Sequence, residues 1–356
     1  MLLPASPLRR FLVCLLMWVG CGSSTAFAQT PDWQVRPPAA FQMDANALDD
    51  AFRDAARMAP LNSLLIARGD SLVAAQAFRG MTLDRPTNIK SASKTVVGTL
   101  FGIAFADDAV AALDVPIGPY FPDVLADTAQ AATLTPYHLL TMQAGLESTS
   151  FGNYGAWVSS DNWIRDALQR PMQHPPGTRM TYSTGTSHIL GVLLARATDQ
   201  PLRPYAQTHL FEPLGVAIGA WQQDPQGNYF GGNNLAIPPR GLLRLGQVHL
   251  NGGTWNGERV LPAWWPALAW TPFVEDAFRD FQYGLSWWIA DFNGVRTYFA
   301  WGYGGQFVFV APDLDLVAAM TSSLTNRPQN MDDFSSQLME FWATHIVPVV
   351  SQEATP

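Results

Sequence analysis

Asn88-Ile89-Lys90-Ser91-Ala92-Ser93-Lys94-Thr95 holds both lysines of a 356-residue chain that carries 19 arginines. A chain that uses arginine wherever a plain positive charge suffices keeps lysine where arginine cannot substitute. Guanidinium stays protonated at any accessible pH, whereas a buried lysine can lose its proton and act as a base. Ser91 lies three positions before Lys94, and residues i and i+3 of a helix are neighbours roughly 5–6 Å apart at Cβ. The stretch therefore sets a hydroxyl against an amine. A serine three places before a lysine also arises by chance, so the rest of the chain decides.

Outward from this stretch, Ser91 to Ala106 reads as a buried helix, with Val96, Val97, Leu100, Phe101, Ile103 and Ala104 apolar on nearly every side. Upstream, Asp44 to Arg57 reads as an amphipathic helix with Asp44 as N-cap and Leu48, Phe52 and Ala55 on one face. Ser63 to Ala67 and Ser71 to Phe78 read as a β-hairpin turning at Arg68-Gly69-Asp70. From about residue 110 to 250 the pattern is helices joined by Pro/Gly turns, among them Thr135 to Gln143, Ser187 to Ala197 and Pro239 to Leu250. Strands return at Gln282 to Ala290, Arg296 to Trp301, Gln306 to Val310 and Leu314 to Thr321, and a helix follows at Asp332 to His345. Strands at both ends imply one sheet whose ends meet, carrying a helical insert.

The first 28 residues read as a secretory signal: Arg9 and Arg10, an apolar run from Phe11 to Gly20, and Ala26-Phe27-Ala28 before Gln29. The expectation is a periplasmic or secreted protein. The alternative is lipidation at Cys21, for which Trp18 is an unusual first residue. Cys14 and Cys21 are the only two cysteines. The mature chain then has no thiol, which excludes a disulfide framework, a cysteine nucleophile and thiolate metal sites. Without Arg9 and Arg10 the balance is 19 positive against 29 negative side chains, which argues against nucleic acid and anionic membrane surfaces as partners. The six histidines are scattered, with no His-x-His or His-Glu-x-x-His pair, so no metal and no cofactor is expected. There is no Gly-x-Ser-x-Gly elbow and no phosphate-binding glycine loop followed by Lys-Ser/Thr. His188, six residues after Tyr182, is read as structural.

Two further patterns complement Ser91 and Lys94. Tyr182, in Thr181-Tyr182-Ser183-Thr184, places a phenol that can relay a proton to a leaving group or hold a negative charge beside an amine. Ala300-Trp301-Gly302-Tyr303-Gly304-Gly305-Gln306 opens a strand with glycines that let a substrate approach the backbone, so one N–H there can complete an oxyanion hole with backbone N–H groups at the Ser91 helix start.

Together these residues resemble the serine β-lactamase and penicillin-binding-protein superfamily, in its class C and esterase-like branch, over nearly the whole mature chain. Ile89 to Lys94 resembles the nucleophile helix. Leu134 to Leu146 resembles the T-x-x-x-L-L-T-x-x-S-G-L block, and Pro175 to Ser183 the P-G-x-x-x-x-Y-S block. Gly191-Val192-Leu193-Leu194, Pro213-Leu214-Gly215 and Pro312 to Val317 follow in the same order. The resemblance implies an α+β fold, a mainly antiparallel sheet flanked by helices plus an all-helical lobe. The α/β lobe would span about 42–110 and 250–356 and the helical lobe about 111–249, as a single catalytic domain over 29–356. It implies Ser91 as acylated nucleophile, Lys94 as its base and Tyr182 as proton relay, with the backbone N–H groups of Ser91 and Tyr303 as oxyanion hole.

Two departures bear on substrate. Thr184 stands where the family has asparagine, and Ala300-Trp301-Gly302 stands where β-lactamases have Lys-Thr-Gly or His-Thr-Gly. The cation that grips a substrate carboxylate is missing there, which favours an apolar acyl or alkoxy group, as in the esterase and nylon-oligomer-hydrolase side of the family. Thr184, Trp301 and Gly302 are expected to line the pocket, with Trp157 from the aromatic-rich 150–163 segment. The expected substrate is a small carboxylic ester or amide. β-Lactamase or D-Ala-D-Ala carboxypeptidase activity is the alternative, and a catalytically silent binder or sensor of peptidoglycan fragments is a further one.

Overall fold

The structure is a computed structural model that describes residues 35–125, 130–276, 279–325 and 331–350. The signal reading at 1–28, with Cys14 and Cys21, lies outside the described residues.

Among the described residues the first α-helix is α1 (Ala45–Arg57), whose N-cap Asp44 accepts from the backbone of Asn46 and Ala47 at 2.9 and 3.0 Å. Strands β1 (Leu61–Arg68) and β2 (Ser71–Ala77) form the hairpin around Gly69, at φ 55°. Next come β3 (Thr87–Asn88), a 3-10 turn at Lys90–Ala92 and helix α2 (Ser93–Ala106). Short helices α3 (Pro136–Leu140), α4 (Tyr154–Val158) and α5 (Trp163–Leu168) precede the long α6 (Thr184–Ala197) and α7 (Leu202–Ala206). After β4 (Ala236–Ile237) come α8 (Pro239–Leu250), the small pair β5 (Thr254–Trp255) and β6 (Glu258–Arg259), and α9 (Trp265–Ala269). The last section holds β7 (Val274–Glu275), β8 (Gln282–Tyr283), β9 (Trp288–Phe292), β10 (Val295–Gly302), β11 (Gln306–Ala311), β12 (Leu316–Ser322) and α10 (Met331–Phe341).

Eight strands make one antiparallel sheet in the order β2-β1-β12-β11-β10-β9-β8-β7. The early strand β1 does pair with the late strand β12, with Leu64 opposite Met320 and Ile66 opposite Ala318. Successive side chains of a strand point to opposite faces, and here both faces are covered. Leu65, Ala67, Val317 and Ala319 face one core with α2 and α8, whereas Leu64, Ile66, Ala318 and Met320 face a second core with α1 and α10. This accounts for strands that are buried at almost every position.

Several boundaries differ from the sequence reading. Helix α8 packs on β1, β11 and β12, so it belongs with the sheet and not with the helical lobe to which its position in the chain assigned it. Gly246 makes that approach possible, because a Cβ there would sit 2.6–2.7 Å from Val317 and Val308. The run Gln282 to Ala290 is not one strand. Gly284 lies so close to the Ala269 carbonyl that a Cβ would meet it at 2.1 Å, and Ser286 adopts φ 65°. The chain there leaves the sheet, and the Ser286 carbonyl accepts from Thr95 Oγ1 at 2.7 Å in α2. Pro312–Leu314 forms a 3-10 turn, so β12 starts two residues later than expected. The final helix widens into a π turn at Trp342–Ile346. The pair β3–β4 is two residues per strand, too short to carry a period. Among the described residues no helix is long and apolar enough to cross a membrane.

Candidate active site

Ser91 sits in the 3-10 turn that leads into α2, and Lys94 lies one turn on, inside the helix. Every residue of α2 from Ser93 to Ile103 and Ala104 is buried, so the amine has no route to bulk water along its own helix. Lys94 Nζ lies 3.1 Å from Ser91 Oγ and 2.6 Å from the Gly232 carbonyl oxygen, with Thr184 Oγ1 at 3.5 Å. Burial disfavours the ammonium and lowers the lysine pKa from 10.5 to about 7. Near neutrality the amine is therefore partly unprotonated, with a lone pair available to a hydroxyl 3.1 Å away.

Tyr182 presents its ring 5.0 Å from Lys94 Nζ and its hydroxyl bonds to Ser91. Burial pushes the phenol up to about 12, and the hydrogen bond to Ser91 opposes that rise. Burial thus favours the neutral phenol at pH 7, the form that a relay through its hydroxyl would use.

The strip Tyr182-Ser183-Thr184 is held by three consecutive hydroxyl residues. Ser148 Oγ donates to the Tyr182 carbonyl at 2.7 Å, and Thr149 N donates to Ser183 Oγ at 3.2 Å. Ser150 Oγ accepts from Thr184 N at 2.9 Å and pairs with Thr184 Oγ1 at 2.8 Å. The N-cap Ser183 makes no cap bond of its own, so Thr149 Oγ1 supplies it from outside by accepting from Gly185 N at 2.7 Å. Sequence reasoning missed this set, because serines and threonines in a loop carry no periodic signal. It missed the Gly232 carbonyl as well, for which the Gly231-Gly232 pair was the available hint.

On the sheet side, the Ser91 turn packs against the end of β10. Gly302 has to be glycine, since a Cβ would meet the Ile89 carbonyl oxygen at 2.0 Å. The next turn is made by Gly304 and Gly305 at φ 83° and 85°, and Tyr303 carries its ring outward, 48 % exposed. Trp301 is half-buried: its ring stacks on Phe307 at 6.0 Å and meets Trp288 at 5.8 Å, and Trp288 in turn stacks on Tyr182 at 5.8 Å. The Arg279 guanidinium lies 4.5 Å over the Trp301 ring. A cation thus does stand beside Trp301, brought from another part of the chain.

Trp157 is a correction. It is fully buried, packed against Trp163 at 5.3 Å and Phe230 at 5.6 Å, and its indole N–H donates to the Trp163 carbonyl at 3.0 Å. It belongs to the core of the helical region and not to a pocket wall. The exposed ring of that segment is Phe151, 79 % exposed, at φ 52° and 6.1 Å from Tyr182. His188 is buried against Asp224 at 2.9 Å behind the same core. Lys90 is half-buried, with its Nζ 3.0 Å from Asn234 Oδ1. Among the described residues no group of three or more His, Cys, Asp or Glu side chains could hold a metal.

An antiparallel sheet with a Ser-x-x-Lys turn packed against the end of an inner strand, β10, and a phenol facing both defines the β-lactamase and penicillin-binding class of fold. The chain belongs to the β-lactamase family, whose model it matches over residues 48–338. It is 27% identical over 210 residues to esterase EstB of Burkholderia gladioli, a match covering 50% of this chain and 53% of that protein, so it spans about half the length of that curated relative. Among solved structures it is similar to a Bacillus anthracis protein described as a 6-aminohexanoate-dimer hydrolase, at TM-score 0.70 and 19% identity over 91% of this chain and 90% of that one. It is also similar to the hydrolase EstCE1, described as having promiscuous acyltransferase activity, at TM-score 0.68 and 15% identity over 86% and 98%. A penicillin-binding-protein homologue of Caulobacter crescentus aligns at TM-score 0.68 and 16% identity over 83% and 96%.

Proposed function

We propose that the protein is an exported serine hydrolase that forms an acyl-enzyme on Ser91 from small carboxylic esters, with amides next. The observation that carries this is the buried Lys94 amine 3.1 Å from Ser91 Oγ, its pKa lowered to about 7 by burial. Lys94 takes the Ser91 proton as Oγ attacks the carbonyl carbon. The backbone N–H groups of Ser91 and Tyr303 receive the developing oxyanion. As the carbon–oxygen bond to the leaving group breaks, Tyr182 gives that group its proton and regains one from the Lys94 ammonium. Water then attacks the ester, losing its proton through the same pair, and Ser91 is released with the acid.

An ester is favoured because β10 offers Ala300-Trp301-Gly302 in place of a cationic strand motif, and the esterase of Burkholderia gladioli is consistent with it. One observation favours a second reading: Arg279, over Trp301, is suited to a substrate carboxylate, as a β-lactam or D-Ala-D-Ala peptide would carry. A silent peptidoglycan-fragment binder is the weaker reading, since it has no use for an amine kept unprotonated beside Ser91. Steady-state turnover of p-nitrophenyl acetate, nitrocefin and a D-Ala-D-Ala peptide separates the three. Ester turnover at least tenfold above the other two supports the first choice. Efficient nitrocefin turnover without esterase activity reverses the order, and turnover of none of them favours the binder.

A further inference from the structure

A neutral lysine amine has two N–H groups and one lone pair, and Lys94 has three oxygens within reach. The Gly232 carbonyl, at 2.6 Å, can only accept. If the lone pair is to face Ser91, the second N–H must go to Thr184 Oγ1, and Thr184 must accept it. A hydroxyl also carries a proton of its own, and a free Thr184 proton could turn toward the Lys94 lone pair and compete with Ser91. The Lys94 ammonium formed during acylation also needs an acceptor at Thr184. Both states ask the same thing of that hydroxyl.

We propose that Ser150 is a positioning residue for the Ser91–Lys94 proton transfer, its Oγ taking the Thr184 hydroxyl proton so that a Thr184 lone pair faces Lys94. The geometry suits it. Ser150 is 6% exposed, its Oγ lies 2.8 Å from Thr184 Oγ1, and the Thr184 N–H donates to that same Oγ at 2.9 Å, which fixes the oxygen in place. The flanking bonds from Ser148 and Thr149 to Tyr182 and Ser183 keep the two segments in register. Where the family has an asparagine, whose amide can accept from the lysine unaided, this chain uses a threonine and a serine together. In the step this arrangement serves, the proton passes from Ser91 to Lys94, while Ser150 and Thr184 each keep their own and are joined only by the hydrogen bond between them. Tyr182 is the titratable group facing Lys94, with Tyr283 behind it, and Lys90 on the preceding turn is held by Asn234.

This rests on the acyl-enzyme reading, and the test distinguishes the two. The pH profile of kcat/KM for an ester is measured for wild type, Ser150→Ala, Ser150→Thr, Thr184→Val and the Ser150→Ala/Thr184→Val double variant, with thermal unfolding as a check on folding. In Ser150→Ala the released Thr184 proton donates to the neutral amine and stabilises it. The expected result is a plateau about tenfold lower and an acidic limb moved to lower pH by about half a unit. Mere loosening would let water reach Lys94 and move the limb the other way. Ser150→Thr restores rate and limb, since φ −100° at this site accepts a β-branched residue, and Ser150→Ala adds nothing to Thr184→Val. Ser150→Cys, similar in volume with a weakly accepting thiol, replaces Ser150→Ala should that variant fail to fold. Wild-type ester turnover with an unchanged or upward-moved limb in Ser150→Ala overturns this proposal alone; a wild type without turnover overturns both.

Discussion

Lys94 Nζ lies 2.6 Å from the Gly232 carbonyl oxygen, and a Cβ added to Gly232 would sit 2.4 Å from the Thr184 carbonyl oxygen. The nearest obstacle is backbone, which cannot swing aside as the end of a flexible side chain would. Gly232→Ala must therefore move the carbonyl that orients the amine. The expected outcome is a loss of ester turnover of tenfold or more with a stability loss of about 1–3 kcal/mol. Steady-state kinetics and thermal unfolding on one preparation check both.

Lys94→Arg is expected to be nearly as damaging as Lys94→Ala. The guanidinium stays charged and has no lone pair to offer Ser91. Acylation rates from pre-steady-state kinetics decide it, and wild-type-like acylation in Lys94→Arg removes Lys94 as the base.

Activity and stability should both depend on Lys94 protonation. The folded pKa, about 7, lies below the unfolded 10.5, so between these values the unfolded chain binds the extra proton and stability rises with pH. Below about pH 7 the folded state must bury the ammonium, and its full cost is present. kcat/KM should thus climb through an acidic limb near 7. Lys94→Met should raise Tm while abolishing turnover, with a larger gain at pH 6 than at pH 9. Calorimetry at the two pH values checks the sign.

Trp157→Ala should cost about 3–5 kcal/mol of stability, because it empties a fully buried site lined by Trp163, His188 and Phe230. The folded fraction should keep its KM and its ester preference. A changed substrate preference without a stability loss would return Trp157 to the pocket.

The hairpin and α1 with its Asp44 cap were legible because each rests on a local period or cap, and the meeting of β1 with β12 because strand patterns stand on both sides of a helical stretch. Trp157 was not legible, since an indole in an aromatic run reads alike whether it faces solvent or core, and packing against Phe230 more than sixty residues away decides it. The break at Gly284 was hidden for a similar reason: Gln282 to Ala290 has strand composition, and the approach of Ala269 ends it. Ser91, Lys94 and Tyr182, named from motifs, stand together in the structure. The groups that orient them do not share that legibility. A backbone carbonyl at Gly232 and hydroxyls at 148–150 act through position alone, as does Arg279 over Trp301.

The most direct measurement of the central claim is intact-protein and peptide mass spectrometry after exposure to a fluorophosphonate. The Ser91–Lys94 geometry predicts one adduct per chain, on the peptide carrying Ser91, absent in Ser91→Ala and strongly slowed in Lys94→Arg. No adduct on the folded wild type, or an adduct that persists in Ser91→Ala, would contradict it.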